Sequence, residues 1–121
     1  MNLEEEKKHP IDVKIDAMIE KDGSTHGQIR AQTEGYKLWD AELNRVYKKF
    51  YGQLSATGKS RLQSSQRAWL AFRDAEFKLL DVVFNKPEGT MYLPMRVGSR
   101  LALVKRRAQE LERLRELASG G

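Results

Sequence analysis

Between residues 26 and 54, Ile29, Tyr36, Trp39, Leu43, Val46, Phe50 and Leu54 recur at steps of three, four or seven. Only an α-helix with one buried face produces so long a stripe at that period. It constrains the chain more than any other feature, because a helix of this length must lay its apolar side against other elements. Thr25 with Gln28 three residues on forms a capping-box pattern that predicts the helix start. Gly35 and Gly52 weaken the helix by about 1 kcal/mol each relative to Ala, without interrupting its pattern.

The flanking segments have the same character. His9-Pro10-Ile11-Asp12 opens a shorter helix, with Pro10 suited to its first turn and Ile11, Ile15, Met18 and Ile19 on one face. Residues 55–58, Ser-Ala-Thr-Gly, make a short turn, so the next helix runs antiparallel to the long one. That third helix, about 58–85, carries two apolar stripes. Leu62, Trp69, Phe72, Leu79 and Val83 form one, and Leu70, Phe77, Leu80 and Phe84 the other. So wide an apolar arc predicts coverage on two sides and a central position. Residues 85–89, with Pro87 and Gly89, break it, and a last helix from about 90 to 117 buries Val97, Leu101, Val104, Ala108 and Leu111. No clustered β-branched alternation suggests strands. The expected fold is all-α: an antiparallel helical hairpin or bundle of about four helices, with a long central helix pair. The expected organisation is a flexible leader at 1–8, one domain at 9–118 and a flexible tail at 119–121.

With no cysteine, disulfides, thiolate metal sites and a cysteine nucleophile are excluded. His9 and His26 have no second histidine at helical spacing, so neither a metal nor any cofactor is expected. Ser64 and Ser65 lie mid-helix without nucleophile-elbow glycines, and no phosphate-cradling loop is present. Two carboxylate pairs, Asp40 with Glu42 and Asp74 with Glu76, invite a glycosidase reading. Residues two apart on a helix diverge by about 200°, so neither pair can flank one bond. Ion pairing such as Glu42 with Arg45, or Asp74 with Lys78, is the better account. No catalytic residue is assigned.

Glu76 falls on a core stripe, where a carboxylate needs a partner. Folding the hairpin about residue 56 places positions summing to about 112 opposite one another. Tyr36 then faces Glu76, Trp39 faces Arg73, and Leu43 faces Trp69. A partly buried interhelical cluster of Tyr36, Trp39, Arg73 and Glu76 is expected, serving architecture rather than binding.

The formal net charge is +5 and the sequence pI about 9.6. Arg96, Arg100, Lys105, Arg106 and Arg107 concentrate the excess in the last helix. They are either a solvated face or a candidate surface for anionic cell-wall polymer or lipid. No nucleic-acid motif accompanies them, and neighbouring glutamates dilute the field. Residues 1–8 lack the apolar region of a signal peptide, and no stretch is apolar enough to span a bilayer.

Two stretches carry a resemblance. Trp39-Asp40-Ala41-Glu42-Leu43-Asn44 is followed by Ser65-Gln66-Arg67-Ala68-Trp69-Leu70-Ala71-Phe72-Arg73-Asp74-Ala75-Glu76. Together, with His9-Pro10-Ile11-Asp12 ahead and Gly89-Thr90-Met91 behind, they resemble the signature of the LprI lysozyme-inhibitor-like family over roughly residues 9–112. The shared residues Tyr36, Trp39, Asp40, Glu42, Asn44, Gln66, Trp69, Arg73, Asp74 and Glu76 are read as a structural signature cluster. The resemblance implies a non-enzymatic helical binding domain of the bacterial envelope, plausible as an inhibitor of lysozyme-type muramidases. It also implies a periplasmic or secreted location, with a leader outside this sequence; the cytoplasm is the alternative. The alternative function is a basic module for anionic wall polymer or lipid. Many family members carry half-cystines near the positions of Phe77 and Gly98, which here are replaced. Animal lysozymes are strongly basic, so a basic inhibitor meets long-range repulsion, offset only by a local acidic patch: Asp40, Glu42, Asp74 and Glu76, or the run at 4–6.

Overall fold

The computed structural model describes residues 8–85 and 92–120. Four helices follow one another: α1 (Pro10–Lys21), α2 (Thr25–Gly52), α3 (Ala56–Val83) and α4 (Tyr92–Ala118). No described helix is long and apolar enough to cross a membrane. Residues 86–89 of the expected helix break, the expected helix start at Thr90 and the acidic run at 4–6 lie outside the described residues.

Local chemistry sets the helix boundaries. His9 caps α1, its Nδ1 accepting from the Ile11 N–H at 3.0 Å, with Pro10 at the first helical position. The N-cap of α2 is Ser24, one residue before the expected Thr25, and its Oγ accepts from the Gly27 N–H at 3.1 Å. Gln28 donates to the Gly23 carbonyl at 3.0 Å instead of closing a capping box. Asp22 accepts from both the backbone and the hydroxyl of Ser24, which locks the corner. The corner also requires a glycine, because a Cβ at residue 27 would lie 2.2 Å from the Asp22 carbonyl oxygen. Ser55 caps α3 in the same way, accepting from the Gly58 N–H at 3.2 Å.

The buried core consists of Trp39, Leu43, Val46 and Phe50 on α2, Val104, Ala108 and Leu111 on α4, and Ile15 on α1, with Ala31. From α3 only Leu62 joins it. The central element is therefore α2, with α1 and α4 packed along it, and not the third helix as its two stripes suggested. Helices approach closely where small residues meet. Ala31 and Gly35 on α2, and Ala108 on α4, allow that approach. By contrast α3 is held off by long side chains, and Phe72, Leu79 and Val82 remain 50%, 53% and 73% exposed.

Gly35 has a packing role that periodicity does not reveal. A Cβ there would lie 2.5 Å from Ile15 Cδ1 and 2.6 Å from Leu101 Cδ1, so α1 and α4 both close onto bare backbone. Gly35→Ala gains about 1 kcal/mol of helix propensity, but overpacking a core costs about 1–3 kcal/mol. The expected result is a net loss of roughly 1 kcal/mol in urea titration; a more stable variant would contradict this packing.

Candidate functional site

The signature residues divide between two sides of α2. On the side of α1 and α4, the Trp39 Nε1–H donates to Asp12 Oδ1 at 3.1 Å, and Lys105 binds Asp12 Oδ2 at 2.7 Å. The His9 ring lies 4.5 Å from the indole, and the Lys105 ammonium 5.7 Å above it. His9 and Asp12 thus clamp Trp39, a link that local sequence patterns did not signal because the partners are 27 residues apart. Glu42 lies on the same side, bound by Arg45 through two bonds of 2.7 and 2.8 Å, with His9 at 3.7 Å.

The hydrogen bond and charge of Arg45 hold the Glu42 carboxyl below the ordinary glutamate range, and burial opposes them. Arg115 does the same to Glu112. A carboxylate with a depressed folded-state pKa contributes stability above its unfolded pKa, near 4.3, and loses it as pH falls through the folded value. The expected melting profile is level with respect to these groups near neutrality and falls below about pH 4.3. In Glu42→Gln the acid-side slope is shallower; an unchanged slope would remove Glu42 from this linkage.

On the other side, α3 and α4 interleave guanidinium groups with rings. Arg73 lies 5.8 Å from the Trp69 ring and 5.9 Å from Phe77, Arg107 lies 5.9 Å from Trp69, and Arg100 4.9 Å from Phe77. Such stacking is worth about 0.5–2 kcal/mol per contact, more as water is excluded. Arg107 also donates to Gln66 Oε1 at 3.0 Å and Ser65 Oγ at 3.1 Å, and burial lowers its pKa. Asp81 receives Arg100 and, at 3.8 Å, Arg96.

Several expectations change here. Tyr36 meets the Phe77 ring at 6.1 Å rather than bonding Glu76. The guanidinium over an indole belongs to Arg73 and Trp69, because Trp39 is turned toward α1 and α4. Glu76 makes no hydrogen bond or ion pair among the described residues, and Asp74 pairs with Arg73 at 2.9 Å rather than with Lys78. The basic set of the last helix does not form one face: Lys105 serves α1, and Arg96, Arg100 and Arg107 serve α3. Only Arg106 of the five is unengaged among the described residues. Nor do Asp40, Glu42, Asp74 and Glu76 form one acidic patch, since Glu42 lies with Trp39 and Asp40 on the side of α3.

The remaining polar signature residues converge. An open groove of about 420 Å³ between α2 and α3 is lined by Asp40, Asn44 and Tyr47 on one wall and Gln63, Gln66, Arg67 and Arg73 on the other, with Leu43 and Leu70. Asp40, Asn44, Gln66 and Arg73 come from the two signature stretches. Two leucines supply an apolar strip, side-chain amides and a phenol offer donors and acceptors, and one carboxylate opposes two guanidiniums. This mixture can hold a polypeptide segment by side chain and backbone together. A glycosidase needs two carboxylates across one bond; the groove lining holds one. No group of three metal-ligating side chains occurs among the described residues.

The fold and groove define a small four-helix domain in which Asp40, Asn44, Gln66 and Arg73 share one open surface. The family model of the lysozyme inhibitor LprI matches residues 19–111, and the chain belongs to that family. It is similar to an uncharacterised protein of Rhizobium meliloti (strain 1021), 33% identical, with 70% of this chain and 69% of that protein covered. A crystal structure of an uncharacterised protein from Burkholderia thailandensis superposes with a TM-score of 0.85 at 31% identity. The match covers 94% of this chain and 57% of that one, so the chain spans little more than half of that relative's length.

Proposed function

We propose that this domain is a non-enzymatic inhibitor of a peptidoglycan-cleaving muramidase in the bacterial envelope, and that the α2–α3 groove is its contact surface. The observation that carries the reading is the convergence of Asp40, Asn44, Gln66 and Arg73 on one open groove, in a chain of the lysozyme inhibitor family. Conformation-determining residues of the signature, Trp39 above all, face elsewhere, which leaves Asp40 and Asn44 to meet a partner beside Gln66, held by Arg107, and Arg73, held by Asp74. A net charge of +5 repels a basic muramidase at long range. Affinity in such a pair comes from short-range complementarity, and screening by salt speeds association instead of slowing it.

The test is clearing of a cell-wall suspension by several muramidases, with and without stoichiometric protein, across a salt series. Slowed clearing at micromolar protein that persists as salt rises is expected. Unchanged clearing with every muramidase overturns the inhibitor reading.

A further inference from the structure

We propose that the outer face of α3 docks on an anionic lipid surface. The face is apolar and uncovered. At about 100° per residue, Ala68, Phe72, Ala75, Leu79, Val82 and Val83 fall within one arc of roughly 120°. All six are exposed. Val82 is the most exposed large hydrophobic among the described residues, at 73%. An amphipathic helix with its apolar side outward needs a cover of its own.

The charges around the arc identify that cover. Most arginines of this chain are spent on internal partners: Arg30 on Asp22, Arg45 on Glu42, Arg73 on Asp74, Arg113 on Glu110 and Arg115 on Glu112. Arg96, Arg100 and Arg107 hold α3. Of the arginines among the described residues, only Arg61, Arg67 and Arg106 have no hydrogen bond, ion pair or ring contact. All three border the arc. Arg67 precedes Ala71 by one helical turn, Arg61 extends the arc toward the N-terminus of α3, and Arg106 shares a groove with Trp69 and Phe72. Lys78, one turn before Val82, is exposed and equally unpaired. Glu76, half-buried on the α4 side, is the one unpaired carboxylate at this border.

An apolar arc ringed by free cations is the pattern of a surface-lying helix: rings and branched chains enter the acyl boundary while cations meet headgroup phosphates. A second copy fits worse. Pairing two such faces brings two sets of the four cations around one seam, with only Glu76 of each copy to offset them.

The test is co-sedimentation with vesicles of phosphatidylcholine alone and of equal parts phosphatidylcholine and phosphatidylglycerol. Three chains are compared: the parent, L79S/V82S and R67E/K78E, with thermal melts to confirm that the exposed substitutions leave the fold intact. The parent is expected to bind the anionic vesicles at least about tenfold more tightly than the neutral ones, and each double variant to lose at least about tenfold. Equal binding by L79S/V82S overturns the proposal, because charge alone would then account for adsorption. Absence of parent binding also overturns it; if the parent then sediments as a dimer and L79S/V82S as a monomer, the face joins copies. Inhibition assays contain no lipid, so this proposal and the muramidase reading fail separately.

Discussion

Trp39→Ala is expected to lower stability by about 3–5 kcal/mol, the largest effect of any single truncation in this chain. Trp39 is 1% exposed and is the largest fully buried side chain. It is enclosed by α1 and α4 as well as its own helix, and collapse around the vacated space is resisted from three directions. Removing the indole leaves Asp12 paired with Lys105, so the loss is mainly cavity and contact, with no orphaned charge added. In a domain of this size that corresponds to a fall in Tm of roughly 10–20 °C. Trp39→Phe restores most of the ring and forfeits only the bond to Asp12, so it should recover more than half of the loss. A melt of Trp39→Ala within a few degrees of the parent would mean that the clamp of His9, Asp12 and Lys105 does not organise the core.

Which parts of this arrangement were legible in the sequence follows from the kind of information each part needs. The stripe from Ile29 to Leu54 specifies α2 because periodicity is a local property. Hairpin folding about residue 56 put Tyr36 opposite residue 76, and the structure puts it opposite Phe77, one residue away. Rotation of the helices about their axes is a different matter. Tyr36 and Trp39 both lie within a broad apolar arc, and either could have faced α3. Small residues decide it: Ala31, Gly35 and Ala108 let α4 and α1 close on α2, which claims the Trp39 side and leaves α3 the other. A hydrophobic pattern scores glycine as a defect, so this signal was read as weakness. The apolar breadth of α3 was visible, but a sequence does not say whether its second cover is another helix of the same chain. The groove was missed for a related reason. Asp40, Asn44, Gln66 and Arg73 were grouped with Trp39 because the signature holds them together in sequence, whereas the side of α2 they occupy follows from that same rotation.

That division of the signature makes Asn44 the sharpest probe of the groove. Its side chain is exposed and lines the wall formed by α2. Arg is a good helix former, so Asn44→Arg costs the helix nothing and touches no core residue; stability should stay within about 0.5 kcal/mol of the parent. The new guanidinium fills part of the groove and adds a third cation beside Arg67 and Arg73. A partner seated there loses both space and charge balance, and disruption at the centre of an interface typically costs at least 2 kcal/mol, about thirtyfold in affinity. The expected result is therefore a loss of muramidase inhibition of at least about thirtyfold with an unchanged melt. Trp39→Phe should show the reverse, a lowered melt with inhibition retained at temperatures where the domain is folded. If Asn44→Arg inhibits as the parent does, the partner is bound elsewhere, and the polar signature residues of the groove serve the α2–α3 pairing alone.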